Sequence, residues 1–176
     1  MQQTKIKHLT LAALFTAIIV VCAQIIIPIP PIEFTMQVFG VLLAAAMLPP
    51  FYATLSVTAY VLLGAFGLPV FKHFTGGFQS VVGPTGGYII AFIFMAMATS
   101  LAVKYLPKHV GVTVGMVVAL VICHLFGTAW FALSMDKSFK ESFLLCSAPF
   151  ILPDICKAVC AGLLSAKLPT PTPTRD

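Results

Sequence analysis

Six apolar runs, separated by short polar or Pro/Gly-rich connections, organise the chain. They cover roughly Leu9–Ile27, Val38–Pro49, Phe51–Phe66, Gly87–Val103, Val110–Leu133 and Phe143–Leu168. A membrane-crossing helix needs about 20 apolar residues, and the first, fourth, fifth and sixth runs each satisfy this alone. The second and third are short and meet at Met47-Leu-Pro-Pro-Phe51, where Pro50 restricts the residue before it and favours a tight break. Two helices joined by a very short turn are therefore expected there, with one re-entrant hairpin as the alternative. Spanning strands would show alternating segments of about ten residues; these runs are continuous. The pattern predicts an all-α bundle of six transmembrane helices.

Composition agrees. Sixty per cent of the residues are hydrophobic and nine per cent charged, against about 25% charged in soluble domains, and the mean hydropathy is +1.05. The chain reads as a multi-pass protein of the plasma membrane. Orientation follows from the basic residues. With the N-terminus inside, Lys5, Lys7, Lys104, Lys108, Lys167 and Arg175 lie on the cytoplasmic face. Lys72, Lys137 and Lys140 lie outside, offset by Glu33, Asp136 and Glu141. Both termini are expected to be cytoplasmic. The net charge of +5 then reflects anchoring at a membrane surface; no basic stripe with interleaved aromatics argues for nucleic acid.

Residues 1–168 read as one membrane domain and the Pro/Thr-rich residues 169–176 as a disordered tail. The first run is too long for a typical signal-peptide core and lacks an Ala-x-Ala-like exit, so it is taken as the first helix. Cys22, Cys123, Cys146, Cys156 and Cys160 form no CxxC and read as small packing residues, not metal or disulfide positions. No HExxH, GxSxG or nucleotide loop occurs. The expectation is a non-enzyme without cofactor, which cannot hydrolyse ATP itself.

The most informative polar feature is Asp154 with Lys157, in Ala148-Pro-Phe-Ile-Leu-Pro-Asp-Ile-Cys-Lys-Ala158. Spacing of i,i+3 puts both on one helix face. The nine Leu, Ile, Phe or Val residues between Leu144 and Leu164 favour insertion by roughly 3–5 kcal/mol, while Asp and Lys each cost about 2.5–3.5 kcal/mol near mid-membrane. The pair therefore needs neighbouring helices or a place near the interface. Ser147 as a cap and Pro149 in the first turn place it near the outer helix end, where the helix dipole favours an anion. Intramembrane charges mark ligand or ion pathways; a self-satisfied structural salt bridge is the alternative.

Other candidates are weaker. The connection from Gly64 to Tyr88 is rich in glycine, as a loop folding over a ligand requires, though a plain flexible connection reads the same way. Within it Gln79, Thr85 and Tyr88 offer polar groups. The stiff outer connection Pro28–Gln37 places Phe34, Thr35 and Gln37 as lining candidates. Ala13 and Ala17 on the first helix, and Gly111 and Gly115 on the fifth, form small faces suited to close helix contact, within the chain or with a partner. His124 is expected to be a hydrogen-bonded packing residue more than a proton carrier, and Trp130 an interfacial anchor.

Taken together, four motifs in order resemble the BioY family, the biotin-binding S components of energy-coupling factor transporters. They are Pro30-Pro-Ile-Glu-Phe-Thr-Met-Gln37, Tyr60-Val-Leu-Leu-Gly-Ala-Phe-Gly-Leu-Pro-Val-Phe71, Gly83-Pro-Thr-Gly-Gly-Tyr88 and Pro153-Asp-Ile-Cys-Lys157. The turn Leu48-Pro-Pro-Phe51, the loop around Lys72-His-Phe74 and the lack of a basic residue early in the fourth helix depart from the usual pattern. The resemblance implies a six-helix protein with an outward-facing biotin pocket, working with a membrane coupling subunit and a pair of cytosolic ATPases. It implies that Ala13 and Ala17 dock the coupling subunit and that Asp154 and Lys157 bind biotin. An autonomous vitamin carrier, facilitative or proton-coupled through Asp154, is the rival reading; a different vitamin, or a purely structural subunit, are the others.

Overall fold

The computed structural model describes residues 2–29 and 32–169. Met1, Pro30 and Pro31 of the first motif, and residues 170–176, which include Arg175 and most of the expected tail, lie outside the described residues.

Helices α1 (Gln2–Gln24), α2 (Gln37–Met47), α3 (Pro50–Ala65), α5 (Gly86–Tyr105) and α6 (Lys108–Met135) fall on the first five apolar runs. Between them sits a short helix, α4 (Phe78–Val82). The sixth run divides into α7 (Phe139–Cys146) and α8 (Ala148–Lys167), broken at Ser147. Four helices, α1, α5, α6 and α8, are long and apolar enough to cross a membrane; α2 and α3 are shorter apolar helices.

The Pro-rich and the glycine-rich connections are more ordered than their composition predicts. Ile26–Ile29 (β1) and Ile32–Thr35 (β2) form an antiparallel hairpin, with Ile27 opposite Phe34 and Pro28 opposite Glu33. In the glycine-rich stretch, a 3-10 turn at Lys72–Phe74 precedes α4. Gln24, at the end of α1, fixes that turn: its Nε2 donates to the Phe71 carbonyl at 2.9 Å and its Oε1 accepts from the Phe74 amide at 3.0 Å.

The packing explains why short helices suffice at the centre. Ten of the eleven residues of α2 are buried, so protein and not lipid surrounds it, and a helix hydrophobic all round belongs in such a place. Small residues bring backbones together where no hydrophobic effect drives helices to associate. A side chain at Gly115 would fall 2.8 Å from Thr99 Cα on α5, and Gly111 likewise lies against Ala102. Thr99 adds a hydrogen bond to the Gly115 carbonyl at 3.1 Å. Gly111 and Gly115, on α6, thus serve packing within the chain. On α1 the buried stripe Ala12, Phe15, Thr16 and Ile19 meets α2 and α3, and Thr16 donates to the Ser56 carbonyl at 3.0 Å. Ala13 and Ala17 are exposed on α1, to one side of that stripe.

Candidate functional site

At the end of the bundle where α2, α5 and α8 begin and α1, α3 and α6 finish, a cavity of about 420 Å3 opens between the helices, the hairpin and the loop after α3. Its size lies within the usual range for small-molecule sites, roughly 300–1,000 Å3. The walls are mainly apolar: Val38, Phe71, Ile89, Phe92, Phe131 and Phe150.

Asp154 and Lys157 are both buried, at 4% and 7% exposure, and both line this cavity. Their separation is 2.7 Å between Nζ and Oδ1, the geometry that one helical turn allows. A third group joins them. His124, on α6, brings Nε2 to 3.4 Å from Asp154 Oδ2, without the alignment of a hydrogen bond. Its Nδ1 lies 3.2 Å from Ser147 Oγ. In the neutral tautomer that carries its proton on Nε2, facing Asp154, Nδ1 is an acceptor for a hydrogen bond from the Ser147 hydroxyl. Sequence reasoning treated His124 as a packing residue; the signal that it belonged here was its position as a polar group deep in an otherwise apolar run, on a level with Asp154 once α6 and α8 pack antiparallel.

Ser147 does not cap α8: its side chain makes no cap hydrogen bond. Instead its hydroxyl lies 2.7 Å from both Tyr88 Oη and Thr128 Oγ1, tying α5 and α6 to the α7–α8 break. Tyr88 also donates to the Cys146 carbonyl at 2.9 Å. Its hydroxyl is thus engaged by protein, and it is the residue's body that lines the cavity. Gly127 on α6 makes room for that ring, which a side chain there would overlap.

The remaining candidates separate clearly. Thr35, Gln37 and Thr85 line the cavity. Thr35 Oγ1 donates to Gln37 Oε1 at 2.8 Å, and Gln37 Nε2 donates to the Tyr60 hydroxyl, so these groups are oriented before any ligand arrives. Phe34 is buried against Phe150, 4.6 Å between ring centroids, and lies 6.0 Å beneath Lys157 Nζ; it supports the ammonium and is not part of the cavity lining. Gln79 is exposed on α4 and lies outside the cavity. Trp130 is more than an interfacial anchor: its Nε1 donates to the Gly83 carbonyl at 2.9 Å, and it packs on Gly87.

The mouth carries its own ion pairs. Glu33 on β2 receives His73 Nε2 at 2.7 Å and Lys72 Nζ at 3.6 Å, joining the hairpin to the 3-10 turn across the opening. The hydrogen bond from His73 holds the Glu33 carboxyl below its usual range, with the charges of His73 and Lys72 acting in the same sense. His73 and Phe74 adopt left-handed φ values of 55° and 53°, a costly conformation for residues with side chains. Phe71, which starts this turn, packs edge-on to Tyr60 at 5.5 Å over Gly64, where a Cβ would collide with its ring.

Comparison with known proteins places this architecture. The sequence model described as the BioY family matches residues 1–173. A probable biotin transporter BioY from Pyrococcus horikoshii is 41% identical over 167 residues, covering 93% of this chain and 97% of that protein. The biotin transporter BioY of Thermotoga maritima is 40% identical over 165 residues, covering 92% and 95%. A crystal structure of the S-component for biotin from an ECF-type ABC transporter superposes with a TM-score of 0.87 at 27% identity, covering 97% of this chain and 96% of that one.

Proposed function

The chain belongs to the BioY family, and from that premise we propose that it takes up biotin as the substrate-binding S component of an ECF-type transporter. It is a multi-pass membrane protein and a transporter component, not an enzyme. The observation that carries the reading is the buried Asp154–Lys157 pair opening into an aromatic-walled cavity.

Biotin presents a ureido ring with two N–H donors and one carbonyl acceptor, an apolar bicycle, and a carboxylate on an apolar tail. Asp154 is an acceptor and Lys157 a donor, which matches the two faces of the ureido group. A neutral ureido head is the end that can enter a buried, dry site without leaving a charge unpaired. The tail carboxylate then remains toward the mouth, where Lys72 supplies a cation. The walls formed by Phe71, Phe92 and Phe131 suit the bicycle and tail. Asp154, Lys157, Gln37, Thr35, Thr85 and Tyr88 are the residues proposed to surround the ligand, with Phe34 holding Lys157 from behind.

The finer architecture belongs to the same proposal: residues 1–168 as one substrate-binding domain crossing the membrane six times, with both termini cytoplasmic. Close burial of α2 within the bundle and the excess of lysine at the end opposite the cavity support it. ATP hydrolysis is assigned to a pair of cytosolic ATPases acting through a membrane coupling subunit. The exposed small face at Ala13 and Ala17 is where that subunit would dock.

The test is equilibrium binding to the purified chain of biotin against riboflavin, thiamine and folate. Saturable binding of biotin alone is expected; preference for another vitamin, or none for any, overturns the reading.

A further inference from the structure

We propose that the groove between α6 and α8, at the end of the bundle opposite the biotin cavity, is a binding site for one anionic phospholipid. This cavity, about 360 Å3, is lined almost wholly by apolar side chains, Val112 and Met116 on α6 and Ile155 and Val159 on α8 among them, and it ends at Lys108 and His109. Lys108 to Leu120 spans about 18 Å at 1.5 Å per residue, close to the thickness of one leaflet of hydrocarbon, about 15 Å. The groove therefore has the shape of an acyl chain with a cation where the headgroup phosphate would sit.

Charge chooses the class of lipid. Lys104 ends α5, Lys108 begins α6 and Lys167 ends α8, so three lysines gather at this end. Among the described residues every acid lies elsewhere: Glu33, Asp136 and Glu141 at the other end, and Asp154 in the biotin cavity. Among the described residues no carboxylate joins this cluster, and basic pockets between transmembrane helices are suited to acidic headgroups. Gly162 opens the floor. A Cβ there would meet Val112 and Met116 only at ordinary contact distances, 3.5 and 3.7 Å, so the space is held open by the missing side chain and not by backbone crowding.

The groove shares no lining residue with the biotin cavity, and Gly162 and its cationic end lie beyond Lys157 along α8, so it is separable from ligand binding. The test is native mass spectrometry of the purified full chain in detergent, titrated with phosphatidylglycerol or phosphatidylcholine of identical acyl chains. Wild type should retain phosphatidylglycerol roughly fivefold or more over phosphatidylcholine, from the contribution of a single basic residue upward. Lys108→Gln with His109→Gln should erase the preference, and Gly162→Leu should displace the lipid. Both variants should keep wild-type biotin affinity, which shows that they are folded. Equal retention of the two lipids by wild type overturns the proposal. So does phosphatidylglycerol held undiminished by the folded Gly162→Leu variant, or displacement by millimolar inorganic phosphate, which would mark a plain anion site. In a Val159→Cys variant that also carries Cys156→Ser and Cys160→Ser, since both native thiols are exposed, shielding of the new thiol by added coupling subunit, but not by phosphatidylglycerol, would assign the groove to a protein partner and also overturn it.

Discussion

His124 Nε2 lies 3.4 Å from Asp154 Oδ2, the carboxylate oxygen that Lys157 does not take. The pair read from the sequence is therefore the visible part of a three-residue cluster spanning α6 and α8. One anion sits between an ammonium and an imidazole, with Ser147 behind the imidazole. Such a cluster is costly in an apolar setting unless every member is satisfied; under the proposed function a ureido group would supply the donors and acceptor that the cluster leaves open.

Removing either charge should weaken biotin binding. Hydrogen bonds to charged groups contribute about 1.5–3 kcal/mol, so Asp154→Asn or Lys157→Ala is expected to raise Kd by roughly tenfold to 100-fold. Calorimetry on purified protein measures it. Replacing both with Leu and Met should recover stability relative to either charge-leaving single variant, since breaking a buried pair strands its partner, while binding stays lost. Unchanged affinity in the single variants would remove the pair from the site.

His124→Ala should weaken binding less than Asp154→Asn, because it acts by orienting the carboxylate. Ser147→Ala, which removes the partner of Nδ1, should reproduce part of that loss. A double variant that costs no more than His124→Ala alone would show the two acting in series; simple addition of two losses would show them independent.

The mouth ion pairs should slow ligand escape. Glu33→Gln removes the carboxylate that joins β2 to Lys72 and His73 and should speed dissociation of radiolabelled biotin with little change in association. The lowered carboxyl value of Glu33 sets the sign of the pH effect. The carboxylate's contribution is complete above the ordinary glutamate range and disappears as pH falls through the lowered value. Wild type and Glu33→Gln should therefore differ at neutral pH and converge in strong acid.

Gly64→Ala is expected to damage binding through Phe71. The added methyl would overlap the ring that forms the cavity wall. Overpacking of this kind costs about 1–3 kcal/mol, read as a lowered Tm together with a raised Kd. Intact binding would show that the loop yields without disturbing the cavity.

Ala13→Leu with Ala17→Leu should leave biotin binding by the isolated chain unchanged and abolish uptake by the assembled transporter. Both residues are exposed, so larger side chains there are expected to leave the packing within the chain intact. Uptake at the wild-type level would move the docking surface elsewhere.

Much of this was legible in one dimension, for a physical reason. Lipid demands apolar helices whose backbone groups are paired internally, so the first five apolar runs show where α1, α2, α3, α5 and α6 lie. The price of charge in that medium made Asp154 and Lys157 conspicuous, and their spacing on one face is a local property of the helix. The break at Ser147, the β hairpin and the 3-10 turn were not legible. They depend on partners far away in sequence: Tyr88 and Thr128 for Ser147, and Gln24 for the turn.

By itself, then, the sequence determined the medium, the helices and the charges that medium makes expensive, because each follows from composition and spacing along a single segment. Only the tertiary structure decided that His124 completes the charge cluster, that Tyr88 spends its hydroxyl on the scaffold, that Gln79 stands apart, and that Glu33 bridges the mouth. Those outcomes turn on distances of a few ångströms between residues from different helices and loops, which spacing along the chain does not encode.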